Sequence, residues 1–127
     1  MSTREITRHD WRPFFDSFSR QHAGWLCTIE VLGAEIGAQI EAREQPLAGI
    51  TADVGYGEQD AISIFLGNRS DNHVAHIVHA PAHVWVKETD DGAREGVQIE
   101  SKTGPATLLR FRSAVLPETV DGVVLDR

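Results

Sequence analysis

The chain has 127 residues, of which 41% are hydrophobic and 24% charged, enough apolar surface for one folded domain (residues 1–127) and too much for disorder. Its formal net charge of −7 argues against a nucleic-acid partner, which needs clustered Lys and Arg. Cys27 is the only cysteine, so no internal disulfide exists; "MSTREITRHD" has no apolar leader and no run is long enough to span a bilayer, so the expected setting is cytoplasmic, without a membrane partner.

In chain order, the first predicted element is a helix over about residues 10–23. In "DWRPFFDSFSRQHAG", Trp11, Phe14, Phe15, Phe18 and His22 recur at the spacing of one helical face. Asp10 is the preferred N-cap because it places Pro13 in the first turn, where a missing N–H does no harm; the rival cap, Thr7, pushes Pro13 past that turn. Gly24 is the expected stop. The aromatic stripe reads as a core face rather than a cofactor site.

After Gly24 the period changes to two. "GWLCTIEVLG" places Trp25, Cys27, Ile29 and Val31 on one face, "IGAQIEAR" does so for Ile36, Ala38, Ile40 and Ala42, and "AGITADV" for Ala48, Ile50, Ala52 and Val54. "DAISIFLG" offers Ile62, Ile64 and Leu66 with Phe65 opposite; "GVQIESK" and "ATLLRFRS" follow, with Val97, Ile99, Leu109 and Phe111 inward. Separators such as "REQPL", "GYGEQ", "GNRSDN" and "ETDDGARE" are turn-forming and too short for crossover helices. The expected fold is therefore α+β and mostly β: an N-terminal helix, then an antiparallel meander of six to eight strands over about residues 25–112, curled into a barrel, half-barrel or open sheet, then an irregular tail over 113–127. Its expected core is Trp25, Ile29, Ile40, Ile50, Ile64, Ile99, Leu109 and Phe111, with Phe14 and Phe18 packed against them.

The phrases "GWLCTIEVLG", "GAQIEAREQPLAGITAD" and "TLLRFRS" followed by "LPETVDG" resemble a family of small bacterial proteins known only as a domain of unknown function, over about Arg4 to Val123. That resemblance implies a small stand-alone bacterial protein and brings no catalytic residue, cofactor or activity with it.

Chemistry is hinted at only by "HVAHIVHAPAH". His73, His76, His79 and His83 are candidate ligands for zinc or another transition metal, since on a helix all four would lie within one arc. On a strand, His76 points away from the other three, and His73 and His79 lie about 20 Å apart. The β-branched Val74, Ile77 and Val78, with Pro81 barring a continuous helix, favour extended structure up to Pro81 and a break there. No metal cofactor is then expected, and the histidines form a titratable surface.

Other candidate ligand or interaction residues are Trp85, placed with His83 on the wet face of "HVWVKE", Phe65, which opposes its strand's apolar set, and Asp53 before the glycines of "GYG". None is joined by the second group that acid–base work requires, so no catalytic residue is assigned, and Cys27 is expected to be buried and inert. "LPETV" is followed by neither an apolar segment nor a basic tail, so it is no sorting signal. The expected function is a non-enzymatic binding or protein-interaction module for an unknown protein or small ligand. The alternatives are a histidine-based metal-binding protein and an enzyme whose site is assembled from distant residues. Because a meander leaves open edges, a homodimer is the expected association if the sheet does not close into a barrel.

Overall fold

The computed structural model describes residues 2–33, 37–55, 60–67 and 74–115. The predicted turns "GYGEQ" and "GNRSDN", Ile36, and the tail from residue 116 fall wholly or largely outside them, as does His73. Helix α1 (Trp11–His22) follows a single 3-10 turn at Arg8–Asp10 and buries Trp11, Phe15, Phe18 and His22. The stripe sits as its spacing requires, with Phe15 taking the deeper place and Phe14 partly buried against the core. Asp10 occupies the N-cap position, but its carboxylate accepts from Thr7 Oγ1 (3.2 Å) rather than from a helix N–H. Gly24, at φ +87°, ends the turn after the helix.

Among the described residues, eight strands form one antiparallel sheet. They are β1 (Ser2–Ile6), β2 (Leu26–Gly33), β3 (Gly37–Asp53), β4 (Ala61–Leu66), β5 (Val74–His79), β6 (Pro81–Glu88), β7 (Arg94–Ser101) and β8 (Ala106–Val115). Their order is β1-β6-β7-β8-β2-β3-β4-β5. β1 precedes the helix, where charged "STREI" gave no apolar alternation, and β8 runs on through Val115.

β3 departs most from expectation. "REQPL" is not a turn between two strands but the bent middle of one strand of 17 residues. The ladder with β2 slips at two places: Glu44 adopts φ +50°, and Ile29 faces Ala42 while Glu30 faces Ile40, leaving Glu41 as an extra residue. One extra residue reverses which side chains face the core. Ala42 is therefore buried while Ile40 and Ala38 are exposed, which corrects the placement of Ile40 in the core. A further slip between Leu47 and Gly49 buries Leu47 and leaves Ala48 outside. Beyond the bend, β3 leaves β2, and α1 takes the vacated flank. Ser19 Oγ accepts from Ile50 N (2.9 Å) and faces Ile50 O (3.2 Å), and Arg12 donates to the carbonyls of Ala52 and Val54. Side chains thus satisfy backbone groups that would otherwise be orphaned.

The sheet curls around a single core, and Trp25 lies partly buried at its margin. β5 passes directly into β6 at Ala80 (φ +51°), whose N–H bonds Asp60 O (3.0 Å) and whose carbonyl accepts from Lys102 N (2.9 Å). Arg8 clamps this corner through an ion pair with the buried Asp60 carboxylate. The curl brings the two ends of the sheet together at this corner, but the barrel does not close: β5 and β1 remain edges of the sheet. Gly96 marks the tightest approach elsewhere. It lies at the β7–β8 register shift, and a Cβ there would collide with the Leu109 backbone carbonyl. Gly96→Ala is expected to cost about 1–3 kcal/mol in urea denaturation, because backbone rather than a flexible side chain must yield. An unchanged midpoint would show that the strands part without strain.

Candidate functional site: the histidine corner and the β5 edge

The described histidines diverge because strand geometry separates them. His76 and His79, an odd number apart on β5, lie on opposite faces. His76 points inward, where its Nε2 meets Thr107 Oγ1 of β8 at 2.9 Å. Burial lowers its pKa, opposed by the negative charge of Glu41. His79 is exposed. His83 lies past the Ala80 corner, with Nδ1 at 2.7 Å from Glu5 Oε2 and its ring stacked on Trp85 at 6.1 Å. Among the described residues no three His, Cys, Asp or Glu side chains are grouped to hold a metal ion.

The remaining candidates are also dispersed. Trp85 stands on β6 between Glu5 of β1 and Gln98 of β7. Phe65 stands on β4, at the other end of the strand order, and Asp53 is an exposed residue at the end of β3, opposite Ala61. Cys27 is fully buried, and burial pushes its thiol pKa up to about 12, so it is no nucleophile at neutral pH.

The structure does bring residues together along β5. The Ala80–Asp60 hydrogen bond continues the β4–β5 register, in which Ile62 faces Val78 and Ile64 faces His76. Antiparallel ladders alternate, so the even-numbered residues of β5 turn their N–H and C=O groups toward β4, while Ala75 and Ile77 turn theirs away. The His79 carbonyl, also turned away, accepts from Ser101 Oγ (2.8 Å). Ala75 and Ile77 thus carry the open hydrogen-bonding groups, and among the described residues no strand pairs with them. Beside this edge runs a groove of about 260 Å³ between His76 and Val78 of β5, Val31 of β2, and Ser101, Gly104 and Thr107 of the β7–β8 hairpin. On the outer face, Phe65 stands opposite Ala75 and Ser63 opposite Ile77, and both Phe65 and Ile77 are exposed.

Residues 2–119 match a family described as "Family of unknown function (DUF5335)". The chain belongs to this family. Within the DUF5335 likeness, an uncharacterized protein of Aquifex aeolicus (strain VF5) is 29% identical over 119 residues, which cover 93% of this chain and all of that protein. No solved structure matches. In this DUF5335 protein the described candidates thus offer an open backbone edge, an apolar outer face and a shallow groove. The sequence singled out Phe65 and His76 but missed Ala75, Ile77, Ser101 and Thr107. The available signal was the absence of any Asp, Glu, Lys or Arg from "VAHIVH".

Proposed function

We propose that this DUF5335 protein is a non-enzymatic protein-interaction domain that takes up an extended segment along β5 by strand addition. The observation that carries this reading is the contrast between the two sheet edges. The exposed residues of β1 include Arg4 and Glu5, and Arg4 pairs with Glu88 at 3.4 Å. Charges of this kind are how sheet edges are kept from pairing with other chains. β5 has no formal charge, no proline and no bulge against β4, and it exposes Ile77 beside Phe65. Backbone bonds to Ala75 and Ile77 would supply affinity, while the groove and the Phe65–Ile77 face would select side chains. No helix among the described residues is long and apolar enough to cross a membrane, and the buried lone thiol of Cys27 suits a reducing cytoplasm.

Selection from a random-peptide display library on the wild type, with counter-selection on Ile77→Lys, tests the reading. Selected peptides are expected to be extended and apolar, to shift the amide resonances of Ala75 and Ile77, and to bind the Ile77→Lys variant at least roughly tenfold more weakly, about 1.4 kcal/mol. Binders that map to α1 or to the Trp85 face instead would overturn it, as would the recovery of none.

A further inference from the structure

The β5 edge is self-complementary, and we propose that its occupant is a second copy of this chain, paired antiparallel through β5 about a two-fold axis at His76. This rests on β5 being a docking edge and names what docks there. The open hydrogen-bonding groups of the described edge belong to Ala75 and Ile77, because the His79 carbonyl is already held by Ser101 Oγ. An antiparallel partner must offer hydrogen-bonded residues at the same spacing. In a symmetric pair, one axis satisfies both: Ala75 faces Ile77 of the second copy, Ile77 faces its Ala75, and the two His76 residues face each other between them. Any one-residue slip places inward-facing side chains opposite outward-facing ones.

The side chains fit that register. On the outer face, Phe65 flanks Ala75 and Ser63 flanks Ile77. The methyl of Ala75 leaves a shallow place between Phe65 and the next strand, at about 4.8 Å spacing, which Ile77 of the second copy would fill. The exposed Phe65 ring then leans across Ala75 onto that isoleucine. Both exposed apolar residues, 39% and 46% accessible respectively, become covered by the same operation, twice over by symmetry. The β5 strand itself carries no carboxylate or ammonium group, so its own side chains oppose no pairing.

Sedimentation equilibrium across the micromolar range, paired with amide hydrogen exchange, decides the matter. The expected result is reversible dimerisation, with Ala75 and Ile77 amides gaining protection as concentration rises. Ile77→Lys and, independently, Ala75→Glu should weaken it at least roughly tenfold. Both positions are exposed, so an unchanged thermal melt of the dilute protein identifies the variants as folded. A monomer throughout, or a dimer indifferent to both substitutions, would overturn the proposal. The peptide selection then still decides on strand addition: a monomeric wild type that binds peptides at Ala75 and Ile77 loses only the second copy as occupant, whereas loss of both signals ends the broader reading.

Discussion

Phe111→Ala is expected to lower stability by about 3–5 kcal/mol in urea denaturation. Phe111 lies on β8 at the point where the helix meets the sheet. Its ring stacks on Phe18 at 5.6 Å and on His22 at 4.8 Å, and meets Trp25 edge-on at 5.2 Å. Removing it forfeits burial, three ring contacts and the support that keeps His22 dry. The same change would open a cavity in a close-packed ring cluster, with the backbone of Phe111 fixed opposite Cys27 of β2. A loss under about 1 kcal/mol would mean that α1 is not anchored through this ring.

The helix and most strands were legible because their periods are clean and their separators carry turn residues. What failed was local, and each failure has one cause. Ile40 reads as inward because alternation is counted without interruption from Ala42, and the extra residue Glu41 that reverses the face leaves no mark in hydropathy. Pro46 reads as a turn residue, yet a proline is tolerated in a strand at an irregularity, and it is here that β3 exchanges β2 for β4. β1 escaped notice because an edge strand guarded by charge has no apolar alternation to display.

The site was legible only in fragments. The reading of "HVAHIVHAPAH" as extended up to Pro81, with a break there, matches β5 and β6 on either side of Ala80, and the opposition of neighbouring histidines follows from that alone. Which strand lies at a sheet edge is another kind of fact. It depends on strand order, and the order carries β5 to one end while β6, the very next strand, lies beside the other. No spacing in the sequence encodes that. That Ala75 and Ile77 have no strand partner among the described residues therefore became visible only in the strand order.

Stability is expected to fall as the medium is acidified, in part through His22. Its ring is fully buried among Phe18, Trp25 and Phe111. Nδ1 donates to the Phe18 carbonyl at 2.8 Å, so the neutral ring carries its proton there and leaves Nε2 without a partner among the described residues. Protonating Nε2 would place a cation in that aromatic enclosure near Arg94. Burial first, and then the Arg94 charge, hold the pKa at about 4 against the ordinary 6.5, although the Phe18 carbonyl pulls the other way. Between these values the unfolded chain binds a proton that the folded chain refuses. Stability from this group is therefore complete above pH 6.5 and is lost as pH falls toward 4, by a total of about 3 kcal/mol. His22→Leu keeps the volume and removes the titration. Urea denaturation of both proteins down this range should show the variant gaining on the wild type by about that amount, with the exposed histidines cancelling in the difference. Parallel curves would mean that His22 accepts its proton without leaving the core.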